Sequence, residues 1–230
     1  MPISMLIPVA ASVGCILFAV YFLRAYKRAD YHCAFWLKGG AALCFVLLGS
    51  ALLLPAENKT YARLLVAGLL LGLCGDELLA LRFLVPKLHD FFFGIGAAAF
   101  ATGHFFYMKA LYDLGCIRLV SLLPVLGLGL LAAFLYGKHQ GSNAGSLQIA
   151  GVLYMALVVF MGSVAISAAI HAPGPGLLLF ALGGICFGLS DNILFAYSYG
   201  KNRTWGMNVW VHITYYAAQL LIGWSILFVA

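Results

Sequence analysis

The chain has 230 residues, 64% hydrophobic and 9% charged, against roughly 45–50% apolar and about 25% charged in an ordinary soluble domain. With a mean hydropathy of +1.04, that composition excludes a water-soluble fold and leaves room for about eight apolar spans of ~20 residues, with no extramembrane domain. The formal net charge of +6 comes from 13 Lys and Arg against 7 Asp and Glu, scattered in a way that reads as membrane orientation and not as nucleic-acid binding.

Charges, Pro and Gly divide the chain into apolar segments. The first, near 5–23, lacks a basic leader and is followed by Arg24, Lys27 and Arg28, so it reads as a retained span and not a cleaved signal. A second follows near 34–54. The third, near 62–84, carries Leu73-Cys74-Gly75-Asp76-Glu77-Leu78-Leu79 and ends beside Arg82; the fourth, near 91–111, carries Gly103-His104 and Tyr107. The fifth and sixth, near 118–136 and 147–170, have few polar residues, with Pro124 in the fifth. The seventh, near 176–199, holds Gly188-Leu189-Ser190-Asp191-Asn192-Ile193-Leu194. In the eighth, near 208–229, Asn208, His212, Tyr215, Tyr216 and Gln219 follow an i, i+4, i+7, i+8, i+11 pattern and share one helix face. These runs are continuously apolar, not alternating, which predicts an all-α polytopic bundle of about eight transmembrane helices in a single domain and excludes a barrel. The six cysteines form no CxxC pair, and most fall in apolar runs; no disulfide framework and no metal site is expected.

The first, third, fifth and seventh connections and their flanks hold Arg24, Lys27, Arg28, Lys38, Arg82, Lys87, Lys138, Lys201 and Arg203; the opposite side holds Lys59, Arg63, Lys109 and Arg118. Nine against four predicts cytosolic odd loops, with both termini extracytoplasmic, in a bacterial inner membrane or in the endoplasmic reticulum of a eukaryote. The Asp76 and Asp191 segments align, and each is followed one helix later by His-x-x-Tyr, at His104/Tyr107 and His212/Tyr215. That suggests a parallel repeat of four plus four helices. The aspartate-to-histidine spacing differs by seven residues between halves and leaves duplication open.

Asp76, Glu77 and Asp191 stand apart from charges at helix ends, which snorkel cheaply. Each costs at least ~2.5–3.5 kcal/mol near mid-membrane and so marks a pathway or a site. Asp76 and Asp191 both lie about eight residues, or ~12 Å, before the same-side end of a span. His212, Tyr215 and Tyr216 approach that level, and His104 lies slightly deeper. Gly68, Gly72 and Gly75, and likewise Gly183, Gly184 and Gly188, suggest close helix packing around the aspartates. Plainer readings exist: Gly68-xxx-Gly72 as generic packing, His104 as an interhelical hydrogen bond, and Tyr215-Tyr216 as interfacial belt, like Trp205 and Trp210. Glu77 is either a second acid or a group turned toward a hydrogen-bond partner or Arg82.

Two carboxyls in one pocket disfavour double ionisation, so one holds a proton while the other is anionic. That suits acid chemistry through a cationic intermediate, as in glycoside hydrolysis, and it suits proton-coupled transport. No GxSxG, HExxH, Walker A or strand-to-helix GxGxxG is present. An intramembrane aspartyl protease fits poorly, because Leu73-Cys74-Gly75 precedes Asp76 and the only Tyr-Asp is Tyr112-Asp113 at a later helix end.

Gly75-Asp76, Gly103-His104 with Tyr107, Leu189-Ser190-Asp191 and the run Thr214-Tyr215-Tyr216-Ala217-Ala218-Gln219-Leu220-Leu221-Ile222 resemble the YhhN-like lysoplasmalogenases, in order and spacing from the third helix to the last. Glu77 is not part of that pattern. The resemblance implies an eight-span membrane enzyme that needs no cofactor and hydrolyses the vinyl ether bond of 1-alkenyl lysophospholipids of choline or ethanolamine to a fatty aldehyde and a glycerophospho-base. It also implies that Asp76 and Asp191 are the catalytic pair. The expected mechanism has either aspartate protonate the vinyl carbon while the other stabilises the oxocarbenium and takes a proton from water. His104, Tyr215, Tyr216 and Gln219 would orient water and the carboxylates, with Tyr107, Ser190, Asn192 and His212 as further supporting residues. The lipid phosphate would lie near Arg82, Lys87, Lys201 or Arg203. The rival reading, a proton-coupled transporter, expects helices interrupted at matching positions of both halves, and Pro124 and Pro173 do not match.

Overall fold

The computed structural model describes residues 5–140 and 147–230. Among them every regular element is helical: α1 Leu6–Lys27, α2 Tyr31–Leu53, α3 Lys59–Leu84, α4 His89–Asp113, α5 Leu119–Gln140, α6 Leu147–His171, α7 Pro175–Tyr199 and α8 Trp205–Ser225. Short 3-10 turns at Pro86–Leu88 and Ile226–Phe228 precede α4 and close α8. Most helices outrun the apolar runs that announced them, because flanking polar residues continue the helix toward the interface. Side-chain caps fix several starts: the oxygens of Asp30, Asn58 and Thr204 accept from the backbone N–H of Cys33, Tyr61 and Met207. Among the described residues seven helices are long and apolar enough to cross a membrane, while the apolar stretch of α5 is shorter, at Leu119–Leu135. The fold is an all-α polytopic membrane bundle.

Within α1–α4 and within α5–α8 consecutive helices pack as neighbours, and α2 on α8 and α4 on α6 join the two halves. α1 lies outside against α2 and α8, and α5 outside against α6 and α7. Shifting the numbering by four helices turns α1·α2, α2·α3, α3·α4 and α2·α8 into α5·α6, α6·α7, α7·α8 and α6·α4, all of which occur. The correspondence extends to residues. At the α3–α4 crossing Gly68 meets Gly103 and Gly75 meets Gly96; at the α7–α8 crossing Gly183 meets Ala218, and Ser190 Oγ donates to the Val211 carbonyl at 3.0 Å. Each pair in the second crossing lies 115 residues beyond its partner pair in the first, the same offset as Asp191 from Asp76. The histidine pairing expected from sequence does not follow this register, in which His104 corresponds to Gln219 and not to His212.

The α3 glycines serve a narrower purpose than generic helix contact. A Cβ at Gly68 would strike the Tyr107 ring, one at Gly72 would meet Gln219 Nε2 at 2.6 Å, and one at Gly75 would meet the Phe100 ring at 2.6 Å. They therefore seat specific side chains from α4 and α8 against α3. Gly188 differs from its expected packing role, since nothing stands within 4 Å of a Cβ there. Gly75→Ala should destabilise the purified protein by about 1–3 kcal/mol through overpacking of Phe100. Gly188→Ala should be neutral or stabilising by up to about 1 kcal/mol from helix propensity. Unfolding curves in detergent check both.

Candidate active site

Asp76 and Asp191 each sit eight residues before the end of their helix, α3 and α7, and these helices run unbroken through them. Both carboxyls are buried, at 2% and 6% exposure, and a buried carboxyl needs partners. Their partners are unlike. Asp76 Oδ1 pairs with Lys38 Nζ of α2 at 3.0 Å, and its Oδ2 accepts from the Tyr215 hydroxyl of α8 at 2.8 Å. Tyr215 in turn accepts from Gln219 Nε2 at 2.9 Å, and Gln219 Oε1 accepts from the Tyr107 hydroxyl of α4 at 3.1 Å. Asp191 Oδ2 accepts from the Tyr154 hydroxyl of α6 at 2.6 Å, and no cation pairs with it among the described residues. Lys38 and Tyr154 each lie seven residues into their helices, α2 and α6, and are 116 residues apart. Each half of the bundle thus sends one polar side chain from its second helix to the aspartate of its third, a lysine in one case and a tyrosine in the other.

Both aspartates wall one cavity, together with Lys38, Arg82, Ser190, Asn208, His212 and Tyr215. A second, apolar cavity between α3, α4, α6 and α7 meets the first at Asp191, Phe100, Leu79 and Leu194; apart from Tyr154 and Asp191, its lining is apolar or glycine. His212 Nδ1 lies 2.7 Å from the Asn208 carbonyl oxygen, which can only accept, so Nδ1 carries the hydrogen, and Nε2 is left as the acceptor whenever the ring is neutral. The Phe22 and Tyr216 rings flank it.

The sequence-predicted residues divide into three groups. Asp76, Asp191, Arg82, Ser190, His212 and Tyr215 line the polar cavity, and Gln219 with Tyr107 supports Tyr215 from behind. His104 and Tyr216 are buried beside this layer without hydrogen-bond partners; His104 rests edge-on to Phe187, its ring centroid 4.6 Å away, and contacts neither carboxyl. It was expected to orient water and the carboxylates, and neither of its ring nitrogens hydrogen-bonds a carboxyl here. Glu77 and Asn192 do not line the polar cavity: the Glu77 carboxyl lies against Gly39 of α2 and forms no ion pair with Arg82, and Asn192 Nδ2 donates to the Gly188 carbonyl of its own helix at 2.8 Å.

Two residues of the layer were not anticipated. Lys38 read as a loop flank, but α2 begins three residues earlier than the apolar run and carries Lys38 into the bundle at 7% exposure. With Arg82 likewise buried, at 6% exposure, the count of basic residues favouring cytosolic odd loops becomes seven against four. The signal for Lys38 was a lysine followed directly by Gly39-Gly40 and an unbroken apolar run. Tyr154 had no distinguishing signal, being one aromatic in an apolar helix.

Two aspartates on one intramembrane cavity, with a lysine on one and a tyrosine on the other, define a polytopic membrane protein with an intramembrane carboxylate pair. The chain belongs to the YhhN family, whose profile matches residues 41–226. The match takes in Asp76, Tyr154, Asp191 and Tyr215 and begins just after Lys38. No curated protein and no solved structure matches the chain significantly.

Removing one member of a buried ion pair strands the other charge, at a cost of about 3–5 kcal/mol. Lys38→Met should lower unfolding stability in detergent by that order, and Lys38→Met combined with Asp76→Asn should recover most of the loss. Equal destabilisation in the single and double variants would show that the pair is not coupled.

Proposed function

We propose that this protein is a lysoplasmalogenase, an alkenyl ether hydrolase that cleaves the vinyl ether bond of 1-alkenyl lysophospholipids of choline or ethanolamine. The observation that carries this reading is the pair of aspartates on one cavity wall with unlike partners, and membership of a family known for this activity supports it. The apolar cavity that meets the polar one at Asp191 suits the alkenyl chain.

Asp76, faced by the Lys38 ammonium, is the aspartate suited to remain anionic; Asp191, with only a tyrosine hydroxyl against it, is suited to carry the proton. In the reaction Asp191 gives its proton to the vinyl carbon remote from oxygen, forming a C–H bond with the π electron pair. The adjacent carbon becomes an oxocarbenium ion that the Asp76 carboxylate stabilises. Water adds to that carbon and loses a proton to Asp76, directly or through His212 Nε2. The resulting hemiacetal breaks its C–O bond, releasing aldehyde and the glycerol hydroxyl, and the proton held by Asp76 returns to Asp191. Lys38, Tyr215 and Tyr154 act as positioning residues. The transport alternative expects helices broken beside the acids, whereas α3 and α7 are continuous there.

Asp191→Asn should remain folded, Asp76→Asn should fold with the stability loss of a stranded Lys38 charge, and each should lose aldehyde release by at least about a thousandfold, an expectation drawn from deletions of acid–base groups. The wild type should cleave alkenyl but not saturated alkyl or acyl lysolipids, and more slowly in heavy water. Ester cleavage without aldehyde would sink the reading.

The membrane orientation belongs to the same proposal: the loops after α1, α3 and α7 face the cytosol, both termini are extracytoplasmic, and the polar cavity lies nearer the cytosolic leaflet. In a background lacking the six cysteines, Lys201→Cys should resist an impermeant thiol reagent until cells are permeabilised. Glu57→Cys should react in intact cells. The exchanged pattern would invert the orientation and the leaflet from which substrate arrives.

A further inference from the structure

Of the four basic residues expected beside the lipid phosphate, Lys87, Lys201 and Arg203 are exposed, while Arg82 is buried in the polar cavity at 6% exposure. It leaves α3 six residues beyond Asp76, ~9 Å closer to the helix end. Its guanidinium carbon sits 4.6 Å from the Phe83 ring centroid and 5.1 Å from that of Phe93, so the aromatic rings hold the fork from its faces. Its Nε and Nη1 are buried without a hydrogen-bond partner, and no carboxylate pairs with it among the described residues. Asn208, near the start of α8, lines the same cavity at 2% exposure, and its Nδ2 is likewise unpartnered.

Buried donors left unpaired cost about 1–3 kcal/mol each, more when charged. Three such donors on one cavity wall, one group cationic, call for an anion. Asp76 is already engaged by Lys38, so it does not fill this role. A guanidinium edge suits phosphate oxygens, because its N–H groups match their spacing.

We propose that Arg82 and Asn208 form a binding site for the phosphodiester of a single-chain glycerophospholipid. The inference rests on the lysolipid reading above and deepens it. With the phosphate on Arg82 and Asn208, the glycerol spans the shared cavity toward the aspartates. The ether end of the lipid then arrives at Asp191, and its tail continues into the apolar cavity.

The test uses two saturated ether probes that cannot be hydrolysed, 1-alkyl-glycero-3-phosphocholine and 1-alkylglycerol of the same chain length, titrated into the purified protein in detergent. The wild type should bind the phosphorylated probe more tightly by about tenfold to a hundredfold, the range expected for charged hydrogen bonds. Arg82→Gln should close that gap, Asn208→Ala should narrow it, and Arg82→Lys should keep part of it. Inorganic phosphate at millimolar concentration should not displace the phosphorylated probe. An undiminished preference in Arg82→Gln overturns the proposal, as does equal binding of both probes by the wild type. Displacement by inorganic phosphate would assign the site to the free anion and overturn the lipid assignment. If Arg82→Gln fails to fold, the Asn208→Ala gap decides: unchanged, it overturns the proposal. Because neither probe reacts, failure of aldehyde release from alkenyl lysolipids would remove the catalytic reading and leave this binding result standing.

Discussion

The Lys38–Asp76 ion pair is the interaction on which the layout of the site depends. A lysine and an aspartate inside a bundle that itself sits in lipid are tolerable only if each satisfies the other and the remaining lone pairs find donors. Asp76 meets both conditions by accepting from Lys38 on one oxygen and from Tyr215 on the other. That requirement propagates. Tyr215 is held by Gln219, Gln219 by Tyr107, and so α2, α3, α8 and α4 are registered against one another by a single chain of polar contacts. Such a network tolerates no half-satisfied member, since an orphaned group there is costly. The glycines at 68 and 72 follow from it, because the Tyr107 ring and the Gln219 amide that complete the network need the volume a Cβ would occupy, while Gly75 makes room for Phe100.

The two halves of the bundle supply nearly the same frame and fill it differently. Position by position, α2–α3 and α6–α7 each bring one polar side chain to one aspartate at the same depth, with crossings that repeat at an offset of 115 residues. A lysine in one half and a tyrosine in the other make the two carboxyls chemically unequal without altering the scaffold. For acid–base work the inequality is essential, because two identical acids would compete for the same role. A duplicated frame with one substituted partner is an economical way to place a proton donor opposite an anion.

The helices were legible because hydrophobic runs in lipid leave no alternative to helix, and the extensions at their ends were not, since polar interfacial residues carry no apolar signal. Asp76 and Asp191 were legible because their membrane cost is unmistakable. Lys38 was misread by the same logic that usually works: a lysine near the start of an apolar run normally snorkels, and only the early start of α2 makes it an interior residue. Tyr154 was invisible, since its hydroxyl gains meaning only from the aspartate opposite. The repeat was sensed through residue identity, which paired His104 with His212, whereas the three-dimensional register pairs His104 with Gln219. In this bundle the small-residue crossings keep the register better than the polar side chains do.

The arrangement of a polar and an apolar cavity meeting at Asp191 bears on how a lipid would be held in register. An alkyl chain moving from water into protein gains ~0.8 kcal/mol per CH₂, but a lysolipid already dissolved in the bilayer has that gain in hand, because lipid tails are as apolar as the cavity walls. The tail therefore contributes little net affinity and no fixed position along the cavity. Position must come from the polar end, where Arg82 and Asn208 present their unpaired donors. Discrimination between an alkenyl and an alkyl chain cannot come from binding either, since the two are nearly isosteric and would be held equally well. It has to arise in the transition state, where only the alkenyl chain offers a carbon that can accept the proton. On the proposed lysolipid reading the apolar cavity would provide room, the basic end would set register, and selectivity would reside in the one proton that Asp191 could deliver.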